Sequence, residues 1–515
     1  MKHLLLFFAI IFVMSAQAQP GMQRAYATGY SDWLSNSVLQ DGGTLLCGYS
    51  NFNYDSTWLR MIYLNSSSGV EWSRAWKTSP VVLSFMNNVT AVDNGFLFCG
   101  IGSPNLGDFH PYLVKTDDNG HVNWAKWFDN LSFGSHQLMA LVPDENQFTV
   151  YSFPDGPTTG FYRIWGDLDG NSMKSISISN PAYQASMRIY QAVPCVNKAV
   201  HLLAGTGAYV STGNGSDALL MRVDTTNVKW SKVYDFGSPI WEVLQDVVML
   251  SDDSAIAVGF SQADATSIVT SFIMKVDSAG EIAWCKQLTL DNILELFSIT
   301  QTADGNFIAS GLNANYEGIL IKVSRNGDLI WSRKWTPDTF GLTYFSAVNQ
   351  DAGTNEIVVT GTHGGMITVL RLNENGDGCD FENLTTLQAI DFNPESEILP
   401  VVTDPFTTHT QEEILLDRPS SVTPQDLCIT GVPAVASLGV MKLTPNPSDA
   451  AVEITLAPSF IHANISIYDV AGREVHSFPD VVSPLQISVA AFSPGVYVVQ
   501  TISNGKIFRE KLLVQ

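Results

Sequence analysis

From residue 22 to residue 379 the chain runs in short segments that alternate apolar and polar side chains. Residues 319–335, ILIKVSRNGDLIWSRKW, show the pattern: an alternating run, a turn at Gly327, and a second run carrying two tryptophans. Alternation with a period of two puts successive side chains on opposite faces of a strand; a helix would need apolar residues three and four apart. The segment predicts a β-hairpin, with Asn326-Gly327 supplying the left-handed backbone of its turn.

The same hairpin recurs, as FIMKVDSAGEIAWCKQL at 272–288 and YLVKTDDNGHVNWAKW at 112–127. Aligned on the turn residue, the copies fall at Gly69, Gly120, Gly170, Asn227, Gly280, Gly327 and Gly376, in steps of 47 to 57 residues. Upstream of each stands a glycine-flanked run, such as GTLLCGYS, GFLFCGIG or GNFIASGLN, and before that another alternating run such as LFSITQTA. Four strands per unit, seven units and this period predict an all-β fold, a seven-bladed β-propeller over 19–379. The seventh unit lacks a fourth strand. MQRAYATGYS at 22–31 resembles the fourth-strand run WSRAWKTS at 72–79, so the N-terminal run is expected to complete the last blade and hide its edge. Trp72, Trp124, Trp230, Trp284 and Trp331 share one position of the unit, with Trp76, Trp127 and Trp335 three or four residues later. Aromatics at this spacing are expected to pack between blades.

The pattern of turn acid, glycine and tryptophan resembles the blade repeat of quinoprotein-type propellers over residues 26–379. Such dehydrogenases carry adjacent cysteines beside their cofactor. No two cysteines are adjacent here, so that activity is not expected. The Asp277–Gly280 spacing is one residue too wide for the Asp-box of sialidases. HExxH, GxSxG and P-loop motifs are absent. Asp167 and Asp169 form only a fragment of a calcium loop. No cofactor, metal or catalytic residue is assigned.

After Cys379 the composition changes. Residues 380–437 hold Pro394, Pro400, Pro405, Pro419, Pro424 and Pro433 among many acids, and read as an extended linker strapped to the propeller. Residues 438–515 alternate in short runs with turns at PNPSD, DVAGR, SPG and SNGK, which predicts a small Ig-like β-sandwich. Within it, Pro445-Asn446-Pro447, Asp469, Gly472-Arg473, Pro494-Gly495, Tyr497 and Lys511 closely resemble the type A C-terminal sorting domain of the type IX secretion system of Bacteroidota. The resemblance implies the secretion machinery as a partner and passage across the outer membrane. It also implies removal of the domain, with release or attachment at the cell surface.

The first residues, MKHLLLFFAIIFVMSAQAQP, combine a basic start, an apolar run and a small-x-small site. They predict a signal peptide, 1–18, cut between Ala18 and Gln19. The run is shorter than the roughly 20 apolar residues of a spanning helix, and no transmembrane segment is expected in the mature chain. Net charge is −23, which repels phosphate backbones and argues against nucleic acid as a partner. Export places the six cysteines in an oxidising setting. Cys379 and Cys428 flank the linker and are expected to pair. Cys47 and Cys99, in matching positions of separate units, are expected to be buried thiols.

The connections between second and third strands vary most. They carry Tyr54, Trp58, His110, Tyr209, Tyr316 and His363, and aromatics among amides and hydroxyls suit a sugar or peptide ligand. The expected function is a secreted or surface-displayed, non-catalytic propeller that binds a glycan or a protein. The alternative is a secreted polysaccharide hydrolase or lyase whose acids meet at the channel mouth, marked by two carboxyl groups about 5–10 Å apart.

Overall fold

The computed structural model describes residues 22–514 apart from 29–30, 41, 54–55, 80–82, 104–109, 129–135, 145, 155–159, 181–186, 208–215, 226, 238–240, 263–268, 291–293, 338–340, 407–409, 413, 419, 428–440, 449, 457–461, 470–472 and 504–505. The chain divides into two compact units, residues 1–428 and 429–515. Among the described residues every regular element is a strand.

The alternation read from the sequence becomes seven five-stranded antiparallel sheets among the described residues of the first unit. In the second of them Leu83–Val92, Gly95–Ser103, His110–Thr116 and Val122–Phe128 pair in chain order. The seventh takes its fourth strand from the start of the chain. Gln23–Ala27 lies antiparallel to Met366–Leu372, with Tyr26 opposite Ile367.

The innermost strands are Ser31–Gln40, Leu83–Val92, His136–Asp144, Met187–Pro194, Trp241–Met249, Leu294–Gln301 and Thr343–Gln350. Each touches its counterparts in both neighbouring sheets, and the seventh touches the first. The arrangement is a closed, propeller-like ring. Its core is correspondingly divided into layers between adjacent sheets. Leu45, Met61 and Trp76 of the first sheet meet Phe98 and Tyr112 of the second; Tyr26 and Val369 of the seventh meet Leu46 and Ile62 of the first. Cys47 and Cys99 are buried thiols, not disulfides, in two successive layers.

The recurring tryptophan locks one sheet to the next. A side chain added at Gly280 would lie 2.9 Å from the Trp230 ring, and one at Gly376 would lie 2.7 Å from that of Trp331, so only glycine leaves room. The Trp124 and Trp230 Nε1 groups also donate to the Leu168 and Ser278 carbonyls of the following turns, each at 2.9 Å. The first copy departs from the sequence alignment. Its left-handed residue is Ser68, not Gly69, because the Asn65 carbonyl accepts from the Ser68 amide at 2.7 Å as that of Asp117 does from Gly120. The fourth copy is one residue shorter, with the Asp224 amide donating to the Asn227 carbonyl at 2.9 Å.

The segment read as a linker is extended and supplies the fifth strand of every sheet. Phe381–Asn383, Gln388–Asp391, Glu395–Ile398, Val402–Phe406, Thr410–Glu412, Ile414–Arg418 and Thr423–Asp426 pair with the sixth, fifth, fourth, third, second, first and seventh sheets in turn. This strap runs round the ring against the order of the sheets. Its two ends meet at buried Gln23, whose Nε2 donates to the Cys379 carbonyl at 3.1 Å and whose own carbonyl accepts from the Leu427 amide at 2.8 Å. Cys379 is disulfide-bonded; the partner expected for it, Cys428, lies outside the described residues.

The second unit contains a three-stranded sheet, Met441–Thr444, Ala451–Leu456 and Leu485–Ser488, and a four-stranded one. The latter runs Glu474–Val482, His462–Asp469, Gly495–Ser503, Lys506–Val514 in spatial order. Val452, Ile454, Ile465, Ile467, Val499 and Leu512 form its core.

Candidate functional site

All seven inner strands carry a β-bulge at the same place, opposite the second strand. A bulge inserts one unpaired residue and re-aims its side chain. The inserted residues are Ser35, Asn87, Met139, Tyr190, Gln245, Phe297 and Ser346. In six of the seven sheets, all but the third, a glycine of the second strand is the other half of this device. The bulge pushes a carbonyl against it, so a side chain at Gly48 would lie 1.9 Å from the Trp33 oxygen and one at Gly311 1.9 Å from that of Glu295.

Six of these, Ser35, Asn87, Tyr190, Gln245, Phe297 and Ser346, line a cavity of about 410 Å³ on the inner strands. Its wall combines aromatic rings (Trp33, Tyr49, Tyr190, Phe297 and Tyr344) with the amides of Asn36, Asn87, Asn88, Gln191 and Gln245, and with small hydroxyls. Trp33, Phe297 and Tyr344 come from consecutive sheets, and the last two rings stand 4.5 Å apart. Trp33 is 45% exposed. Among the described residues no lysine or arginine lines the cavity, and Asp246 is the one acid that does.

Several residues that follow a bulge reach to the neighbouring sheet. Asn36 Nδ2 donates to Asn88 Oδ1 at 2.8 Å, and Gln191 Nε2 to Asp246 Oδ1 at 3.1 Å. The remaining acceptor capacity of Asp246 is taken up by the Val247 amide at Oδ1 and the Ile299 amide at Oδ2, each at 2.8 Å. Burial raises its pKa, and these hydrogen bonds oppose the rise. The result is a polar girdle that fixes the channel's shape.

Away from the channel, Asp217, Asp235 and Glu242 bring carboxylate oxygens within 4.8 Å of one another. Burial, aided by the charges of Asp235 and Glu397, pushes Asp217 up to about 6. Glu242 is buried and accepts from the Phe236 amide at 2.7 Å. At the degenerate turn, Asp167 Oδ1 accepts from the Asn171 amide at 3.0 Å and so caps it.

The ligand residues expected from sequence are dispersed. His110 is buried, with its ring 5.2 Å from that of Trp127. His363 is buried, 2.9 Å from Thr343 Oγ1 and with its ring 5.2 Å from that of Trp335. Trp58 is half-buried opposite Ser50 in the first sheet, and Tyr316 is exposed at a left-handed turn of the sixth. None of these four lines the channel cavity. Tyr54 and Tyr209, like Ala18 and Gln19, lie outside the described residues. The signal that could have found the channel was the second-strand glycine, since each one marks a bulge across from it.

In the second unit the sorting-motif residues converge on the last strand. Asn446 Nδ2 donates to the Lys511 carbonyl at 2.6 Å, and Asn446 Oδ1 accepts from the Leu513 amide at 2.9 Å. This places Pro445 and Pro447 beside the chain end and leaves Lys511 exposed. Asp469 caps its turn by accepting from the Arg473 amide at 3.0 Å and pairing with its guanidinium at 2.7 Å. Tyr497 is buried and its hydroxyl donates to the Ser493 carbonyl at 2.9 Å, across the exposed Pro494-Gly495 turn. Gly472 lies outside the described residues.

Residues 442–515 match the family described as secretion system C-terminal sorting domain. The chain therefore carries a sorting tail that directs it to the cell surface or out of the cell. No helix among the described residues is long and apolar enough to cross a membrane. No curated protein matches the chain. Among solved structures it is similar to Sqt1 from Chaetomium thermophilum, at 11% identity and a TM-score of 0.35 over 68% of this chain and 99% of that one. It is also similar to the Trypanosoma rangeli sialidase in complex with sialic acid, at 8% identity and 0.33 over 92% and 88%. A third likeness is to an exo-β-1,3-galactanase from Clostridium thermocellum, at 12% identity and 0.25 over 68% and 82%.

Proposed function

We propose that the exported protein is a seven-bladed β-propeller followed by an Ig-like sorting sandwich, and that the propeller is a non-catalytic binding module for a glycan or a surface protein. A signal peptide, 1–18, takes the chain to the periplasm. The type IX machinery then reads the C-terminal domain and delivers the propeller across the outer membrane. The strap, closed by a Cys379–Cys428 disulfide, holds the ring together outside the cell.

One observation carries the non-catalytic reading. The channel cavity offers aromatic faces and amides, and Asp246, the one acid among its described residues, already accepts three hydrogen bonds from protein groups. Glycoside hydrolysis needs two carboxyl groups about 5–10 Å apart on either side of the scissile bond. Among the described residues no such pair lines the cavity. The test is to incubate the mature protein with polysaccharides and glycoproteins, recording both retention and new reducing or unsaturated ends. Retention without new ends is the expected outcome. Release of sugar ends would overturn it in favour of a hydrolase or lyase.

A further inference from the structure

We infer that the ring of bulges reads the end of a neutral sugar chain inside the channel. This rests on the binding reading above and names its site and ligand class. A sugar ring has two kinds of surface: an apolar C–H face, which stacks on aromatic rings, and a rim of hydroxyls, each both donor and acceptor. The cavity presents both complements. Trp33, Phe297 and Tyr344, from three consecutive sheets, form an aromatic arc. Asn87 and Gln245 stand on bulges elsewhere round the ring, and each amide can both donate and accept.

Charge selects within the class. An anionic sugar would meet no lysine or arginine among the described residues of the cavity, and would share it with the Asp246 carboxyl. A cationic one would find that carboxyl already hydrogen-bonded by Gln191 and two backbone amides. Size selects too. At about 410 Å³ the cavity falls in the lower part of the roughly 300–1,000 Å³ range of small-molecule sites. It takes a chain end and not the middle of a polymer.

The division of labour along each inner strand supports a reading role for the bulges. Among the residues that follow a bulge, Asn36, Gln191 and Asp246 are committed to hydrogen bonds between sheets. The bulged residue stands outside the strand register and differs in almost every sheet. A purely structural ring would have no reason to vary that position while holding the bulge itself constant.

The test uses the full mature chain and isothermal titration with the disaccharides of glucose, galactose, mannose and N-acetylglucosamine, beside uronic-acid and sialylated counterparts. A neutral disaccharide is expected to bind. Trp33→Ala and Phe297→Ala should each weaken it about tenfold or more. Ser35→Trp, which fills the cavity from a bulge, should abolish it. Unchanged melting temperatures would show that the variants remain folded. Binding that survives all three variants would overturn the channel site while leaving a glycan-binding propeller in place, as would preference for the charged sugars. Failure of every sugar to bind would overturn the sugar inference and leave the binding reading only a protein ligand. Capture of a peptide that depends on Trp33 would replace the sugar with a protein ligand.

Discussion

Every sheet of the ring has two edges, and the chain treats them in opposite ways. At the inner edge stand strands of eight to ten residues, each interrupted by a bulge, with side-chain hydrogen bonds tying the first to the second and the fourth to the fifth. At the outer edge stand strap strands of three to five residues, mostly exposed. Residues 381–426 hold nine acids and one arginine, and their carboxylates meet cations on the fourth strands. Asp426 pairs with Arg24 at 2.7 Å, Asp391 with Lys286 at 2.6 Å and Glu382 with Lys334 at 3.3 Å. Both edges would otherwise offer unpaired backbone to other chains. The inner edge solves this by closure and is left free to vary the side chains it shows. The outer edge solves it with a second layer of backbone, whose charge suits the strands beneath. One edge is built to display, the other to hold.

The sharpest break in this contrast should come from the bulge itself. Gly311→Val would drive a side chain into the Glu295 carbonyl, which is backbone and cannot move aside. The expected cost is about 4 kcal/mol or more, read as loss of a cooperative melt. Trp335→Ala removes a fully buried ring between the sixth and seventh sheets, and should cost about 3–5 kcal/mol in denaturant unfolding.

Loosening the outer edge should cost less and leave a different trace. Cys379→Ser removes the covalent tie at one end of the strap and is expected to cost about 2–4 kcal/mol. In hydrogen exchange, amides of residues 381–426 should lose protection before those of the inner strands. Simultaneous loss in both regions would mean that strap and ring are one cooperative unit.

A smaller effect sits in the acid cluster near the strap. Asp217 is pushed up to about 6 from 3.8, mainly by burial. A carboxyl that ionises less readily when folded holds its proton better in the folded chain. The stability it confers is therefore complete below the unfolded value and is lost as pH rises through about 6. Asp217→Asn should stabilise the protein at pH 7 by about 1 kcal/mol, after allowing for solvent screening, and flatten the rise in melting temperature between pH 7 and 5. Least of all, Lys286→Ala breaks a strap ion pair whose acid is almost fully exposed, and should change stability by no more than about 0.5 kcal/mol.

How much of this was legible beforehand follows from range. The hairpins were, because alternation and an Asx-Gly turn are local signals; the alignment slips only at Ser68, one place before the aligned glycine, and at Asn227, where the turn is one residue shorter. The N-terminal strand was, because MQRAY repeats the WSRAW pattern that pairs in the same place elsewhere. The strap's strands were not. Their alternation is weak and their pairing partners lie from about 50 to 400 residues away, so proline and acid content suggested only an extended linker. The channel cavity was not legible for a related reason. Conspicuous aromatics in the connections drew attention, yet His110 and His363 are buried against tryptophans. The channel residues Gln245 and Phe297 look like ordinary strand positions until a bulge turns them inward.

The contrast between a displaying inner edge and a holding outer edge is tested most directly by hydrogen exchange on the mature protein, with and without a saturating neutral disaccharide. New protection should appear at Trp33–Asn36, Gln245–Asp246 and Phe297–Ser298, and residues 381–426 should be unchanged. Protection that falls on the strap, with the inner strands unaffected, would contradict the account.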